Sequence, residues 1–151
     1  MLSSACKNAI RSVLYLAMFS DDTKKFGVKN IAETLEMPQP FLAKLLQQLI
    51  KAGIVSSTKG PGGGFFLGKK NAKKTVWDIV ICTDSAQKFD QCFLGLAKCG
   101  DENPCPVHFA VKPFKKQIMS DFKDKSIIQF AAEIKNSDKV ISLKDFDIMD
   151  I

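Results

Sequence analysis

The sequence predicts a mainly α-helical protein with one small β-hairpin, and three observations carry that prediction. Apolar residues recur every three or four positions through most of the chain. One Gly/Pro-rich turn, Lys59-Gly60-Pro61-Gly62-Gly63-Gly64, separates two short β-prone runs. A second Gly/Pro-rich stretch, residues 92–108, interrupts the helical pattern and sets off the last third of the chain. At 151 residues this amounts to one domain with an appended element.

Composition narrows the class. With 46% hydrophobic and 25% charged residues, the chain is ordinary for a soluble globular protein. Arg11, Asp21 and similar residues interrupt every apolar run before it reaches membrane-spanning length, so no membrane partner is expected. The start, MLSSACKNAIR, does not read as a signal peptide, and a cytoplasmic location is expected. In that compartment five cysteines argue for metal or redox chemistry rather than structural disulfides. Charge is unevenly distributed. Residues 1–75 hold 12 Lys+Arg against 4 Asp+Glu, whereas residues 76–151 hold 10 against 12. A basic first half suits a polyanionic partner, the alternative being a solvated basic surface.

In chain order, Ala9, Ile10, Val13, Leu14, Leu16 and Ala17 predict an amphipathic helix over Ser4–Phe19, capped by Ser3 or Ser4, with Cys6 as a buried small hydrophobe. Residues 21–27 are polar and turn-like. A short helix follows over Val28–Leu35, broken by Met37-Pro38-Gln39-Pro40. The next helix runs from about Pro40 to Ala52, with proline at its start and Gly53 just past its end. Leu42, Leu45, Leu46, Leu49 and Ile50 form its apolar face, and Lys44, Gln47, Gln48 and Lys51 its polar face. Two short helices with a tight turn suggest a helix-turn-helix, although many bundle helices also carry Lys and Gln outward.

The hairpin favours the DNA-reading alternative. Residues 53–58 read as a strand and Phe65-Phe66-Leu67 as its return, which places a wing directly after the second helix. Gly60, Pro61, Gly62 and Gly63 would let the backbone approach phosphates, and Lys59 could neutralise one or enter a minor groove. A nucleotide-binding loop is excluded, because the glycines run into Phe65-Phe66 rather than Gly-Lys-Ser/Thr. Lys69, Lys70, Lys73 and Lys74 add charge beyond the wing. A helix over residues 76–82 turns Val76, Trp77, Ile79 and Val80 inward, with Cys82 in a packing role.

The stretch CFLGLAKCGDENPCPVH holds Cys92, Cys99 and Cys105 in a Cys-x6-Cys-x5-Cys-x2-His pattern ending at His108, the only histidine. Thiolates are the usual ligands of iron–sulfur clusters, and His108 is the nearest fourth ligand. The alternatives are a Cys3His zinc site and a metal-free protein switched by cysteine oxidation or by partner binding. No paired carboxylates, Ser/His/Asp set or nucleotide loop supports catalysis, so no enzyme is expected. From Pro106 the chain reads as a helix striped by Val111, Phe114, Ile118 and Phe122, with Pro113 early in it. A shorter helix over residues 126–134 packs back, and residues 140–151 carry no assignable role.

The runs Phe41-Leu42-Ala43-Lys44-Leu45-Leu46-Gln47-Gln48-Leu49, Gly53-Ile54-Val55-Ser56-Ser57 and Lys59-Gly60-Pro61-Gly62-Gly63-Gly64-Phe65 closely resemble the IscR/NsrR-type (Rrf-two) bacterial winged helix-turn-helix regulators. The resemblance covers nearly the whole chain. It implies a homodimer binding palindromic double-stranded operator DNA, with repression the expected sense. It implies DNA contacts through Gln39, Pro40, Phe41, Lys44, Lys59, Gly60, Pro61, Gly62 and Gly63. It also implies an iron–sulfur cluster on Cys92, Cys99 and Cys105 with His108 as fourth ligand, [2Fe–2S] preferred to [4Fe–4S], which purified protein can lack. Where some members have a carboxylate ligand near the N-terminus, this chain has Asn8. Some members have Tyr-Leu-Glu where this chain has Phe41-Leu42-Ala43, which suggests a different or looser operator. The divisions expected are residues 1–82 for DNA binding, 83–108 for the sensor loop and 109–151 for the dimerisation helix and C-terminal segment.

Overall fold

A computed structural model describes residues 1–138 and 142–144. Its first helix, α1 (Ser4–Phe19), is capped by the Ser3 hydroxyl, which accepts from the Cys6 N–H at 3.0 Å. Ala9, Val13 and Leu16 lie fully buried on one stripe of α1, the helix against which four later helices pack. Cys6 is fully buried, as expected of a small hydrophobe. Helix α2 (Val28–Leu35) ends in Glu36, a left-handed residue whose N–H closes onto Ala32 and Glu33 carbonyls. Met37 and Pro38 then lead into α3 (Gln39–Lys51), with Pro40 in its first turn and Leu42, Leu45, Leu46 and Leu49 buried. Lys44, Gln47, Gln48 and Lys51 are exposed, as the amphipathic pattern demands.

The hairpin is shorter than its β-prone residues suggest. Strands β1 (Ser56–Thr58) and β2 (Gly64–Phe66) pair antiparallel, with Ser57 opposite Phe65. Ile54 and Val55 are withdrawn from the ladder because their N–H groups donate to the Leu49 carbonyl, capping α3 while both side chains enter the core. On its outer side β2 is held by Phe26, which exchanges two backbone hydrogen bonds with Phe65 at 3.0 and 2.8 Å. Gly64 permits this approach. Its φ is +146°, and a Cβ there would lie 2.7 Å from the Phe26 carbonyl oxygen. The wing base is tied by Asn71, buried in a single 3-10 turn over Lys69–Asn71. Its amide donates to Gly53 O (2.9 Å) and accepts from Ser56 Oγ and Gly68 N–H.

Helix α4 (Val76–Thr83) begins with a capping box between Thr75 and Asp78 and buries Val76, Trp77, Ile79 and Val80. Half-buried Cys82 donates its thiol to the Gln48 carbonyl of α3 at 3.6 Å, and burial pushes its pKa up. Asp84 closes the helix and accepts from both the N–H (2.7 Å) and the hydroxyl of Ser3, joining the start of α1 to the end of α4. Helix α5 (Ala86–Asp90) is a single short turn that buries Phe89. Helix α6 (His108–Asp124) starts two residues later than the periodicity indicates and keeps Pro113 in its second turn. Helix α7 (Ile127–Lys135), capped by Ser126 and Gln129, returns across α1 with Ile127 and Ala131 buried.

Two apolar clusters result. The larger joins α1, α2, α3, α4 and α7 behind the wing. The smaller joins Cys6, Trp77, Val80 and Phe89 with Ile118, Met119 and Phe122 of α6. No residue of α6 is fully buried, and its Phe109 and Phe114 are 62% and 56% exposed. Of residues 140–151, only 142–144 fall among the described residues. Leu143 packs on the larger cluster and accepts from Arg11, while Lys144 pairs with Glu36 at 3.4 Å. Among the described residues no helix is long and apolar enough to cross a membrane.

Candidate metal centre and nucleic-acid interface

The cysteine loop leaves α5 at Gln91 and is folded by three local turns. The Gly95 N–H donates to Cys92 O at 2.9 Å, with Gly95 at φ +78°. Gly100 and Asn103 exchange backbone hydrogen bonds at 3.2 Å, and the Asn103 side chain donates to Lys98 O at 3.0 Å. The His108 N–H donates to Cys105 O at 3.1 Å and opens α6. These closures bring the Sγ atoms of Cys92, Cys99 and Cys105 within 4.8 Å of one another. Cys105 is buried, and Cys92 and Cys99 are half-buried. His108 stands outside that group of three but meets one member, its Nδ1 lying 3.2 Å from Cys99 Sγ.

The thiols are not equivalent. Backbone N–H groups of Leu96 and then Leu94 stabilise the Cys92 thiolate and bring its pKa down to about 7. At Cys99 the Cys105 N–H favours the thiolate, but burial and the adjoining Cys92 and Cys105 thiols outweigh it, and the pKa is raised. Cys92 therefore ionises more readily than Cys99.

A cavity of about 310 Å³ opens on these side chains. Phe93, Val111 and Met119 give it an apolar wall, and Lys112, Lys115 and Lys116 of α6 supply positive charge. Lys115 also donates to the Gln91 carbonyl, tying α6 to the loop entrance. Three soft thiolate donors and one imidazole, converging beside cationic side chains, fit a negatively charged iron–sulfur cluster; the same donors also suit zinc. Asp101 and the lysines of α6 were not singled out by their spacing as sequence. Lys112 lies four residues after His108 on one helix, a separation that places both side chains on one face. Asp101 accepts from Lys112 (2.5 Å) and lies 2.9 Å from His108 Nε2, and these two contacts hold its carboxyl below the usual range.

The residues expected to meet DNA lie elsewhere on the chain. Gln39, Pro40 and Lys44 are exposed on the first turns of α3, whereas Phe41 is half-buried and packs on the core. Lys59, Gly60, Pro61 and Gly62 are exposed at the wing tip, and Gly63 is half-buried where its N–H donates to Gly60 O.

A family model described as "Rrf2: Iron-dependent Transcriptional regulator" matches residues 2–133. A protein of Aquifex aeolicus (strain VF5), named as an HTH-type transcriptional regulator, is 40% identical over 129 residues, covering 84% of this chain and 88% of its own. The HTH-type transcriptional regulator IscR of Yersinia pseudotuberculosis (strain IP 31758) is 26% identical over 144 residues, covering 95% of this chain and 84% of its own. Two solved structures share the fold. CymR (YrzC), the global cysteine regulator of B. subtilis, has a TM-score of 0.67 at 20% identity, covering 87% of this chain and 96% of that one. T. potens IscR has a TM-score of 0.63 at 22% identity, covering 94% and 93%.

Proposed function

This chain belongs to the Rrf2 family of transcriptional regulators, and from that premise we propose a cytoplasmic, homodimeric DNA-binding regulator governed by an iron–sulfur cluster. Cys92, Cys99, Cys105 and His108 would hold the cluster, with [2Fe–2S] preferred. The observation that carries this reading is the convergence of three thiols and the only histidine at one cavity. When bound, the cluster supplies one-electron redox chemistry and sensitivity to oxidants or nitric oxide.

The protein residues do the rest. Gln39, Pro40, Phe41 and Lys44 present α3 to a major groove, and Lys59 with Gly60, Pro61, Gly62 and Gly63 brings the wing to the phosphates. Residues 1–82 form the reader, 83–108 the sensor and 109–151 the dimerising part. Support for the last assignment is the unburied apolar surface of Phe109 and Phe114. A continuous packed route supports coupling between loop and reader. Phe89 meets Trp77 edge-on at 5.3 Å, Val80 packs beside them, and Cys82 on the same helix holds the Gln48 carbonyl of α3. A rearranged loop then shifts α4 against α3 and alters the separation of two recognition helices on a palindrome.

The test is an absorption spectrum of anaerobically purified or reconstituted protein, with iron, acid-labile sulfide and zinc assayed on the same sample. Visible charge-transfer bands with stoichiometric iron and sulfide are expected; a colourless protein that resists reconstitution defeats the cluster reading. A second reading, a metal-free thiol switch, is favoured by Cys92, whose thiol sits near pKa 7 beside two others. It predicts a disulfide among the three under mild oxidation and no bound metal. Stoichiometric zinc would instead make the site structural.

The wing makes a separate prediction. Lys59→Gln is expected to weaken operator and non-operator DNA alike and to lower the salt slope by about one unit for each phosphate it no longer neutralises. Fluorescence anisotropy across a salt series measures it, and an unchanged slope would remove Lys59 from the interface.

A further inference from the structure

We propose that Asp101 is the positioning residue of the metal centre: it holds the Nε2 side of His108 so that Nδ1 faces the Cys99 thiol. This rests on reading His108 as a ligand, and no part of it needs the bound group to be a cluster rather than a single ion. The imidazole is bracketed. Nε2 lies 2.9 Å from Asp101 Oδ1 on one edge, and Nδ1 lies 3.2 Å from Cys99 Sγ on the other. An ionised carboxylate can only accept, so the ring proton is held on Nε2 and the Nδ1 lone pair is left for the site. A histidine that ligates through one nitrogen commonly donates through the other to such an outer carboxylate.

The carboxylate is itself held in place. Asp101 occupies the second position of the Gly100-Asp101-Glu102-Asn103 turn, closed by reciprocal backbone hydrogen bonds at 3.2 Å. Its other oxygen accepts from Lys112, one turn beyond His108 on α6, at 2.5 Å. Asp101 therefore spans from the loop to the helix that carries the ligand. Asp101 and Lys112 are 59% and 53% exposed at their side chains, so as an ion pair they add little stability. His108 is only 17% exposed, and it is the ring's direction that the carboxylate governs.

The chain's single histidine makes the test unambiguous. In metal-free protein labelled with ¹⁵N-histidine, a slowly exchanging proton is expected on Nε2, lost in Asp101→Ala and restored in Asp101→Glu. Co²⁺, used as a spectroscopic probe of the apo site, should bind about 10–100-fold more weakly to Asp101→Ala. In a His108→Ala background the same change should cost nothing more, because Asp101 acts through the ring. An Nε2 proton indifferent to Asp101, or an equal loss of Co²⁺ affinity with and without His108, overturns the assignment. Failure of wild-type protein to take up iron and sulfide, with the Co²⁺ and NMR results intact, would count against the cluster alone.

Discussion

Cys99→Ala is expected to lose iron and sulfide to background after anaerobic reconstitution, and with them any difference in operator affinity between loaded and metal-free protein. The Cys99 thiol meets the His108 ring, so its removal deletes one ligand and the thiol that the ring nitrogen faces. Fold damage should be small. Cys99 is half-buried in a loop whose turns are closed by Gly95, Gly100 and Asn103, none of which needs the thiol. Cys105 would be a poorer choice, because it is buried and its loss would mix packing with ligation. Sedimentation should show the same assembly as wild type. A variant that retains stoichiometric iron, or responds to loading as wild type does, would remove the cluster from the proposed mechanism.

Phe89→Ala carries the largest expected effect on stability. Phe89 is fully buried and is the sole buried side chain of the five-residue α5, where it meets Trp77 edge-on in the smaller cluster, against which Met119 and Phe122 of α6 also pack. Deleting a buried phenylalanine ring costs about 3–5 kcal/mol. At about 2–4 °C per kcal/mol for a chain of this size, the midpoint should fall by roughly 6–20 °C. The loss should also be local first. Helix α5 is too short to persist without its anchor, so hydrogen exchange should rise over residues 84–108 before it rises in α2 and α3. Because Phe89 joins loop to α4, the variant should also lose part of its operator response even when fully loaded. A melting midpoint within about 2 °C of wild type, with unchanged exchange in the loop, would contradict this role.

Helices α1 and α2 were legible to the residue, because periodicity and the Ser3 cap act within one or two turns of chain. For α3, the buried leucines and exposed Lys and Gln side chains followed from the same periodicity. The hairpin was legible through its glycines, but its length was not. Ile54 and Val55 have strand-like side chains, yet the open carbonyl at the end of α3 takes their N–H groups. Helix α5 was missed because five residues cannot display a helical period, and the 3-10 turn around Asn71 was missed for the same reason.

The division between the two sources of information is one of range. Sequence alone determined the order of the helices other than α5, the wing, the amphipathic faces and the gathering of Cys92, Cys99, Cys105 and His108 into one short stretch, since each is expressed by neighbours along the chain. Only tertiary structure decided that Asp84 meets Ser3, that Cys82 holds Gln48, that Phe89 meets Trp77 and that Asp101 reaches His108 and Lys112. Some of these partners are tens of residues apart and others separated by a loop of no regular period. Their meeting depends on the path of the folded backbone, which no local pattern of residue types encodes.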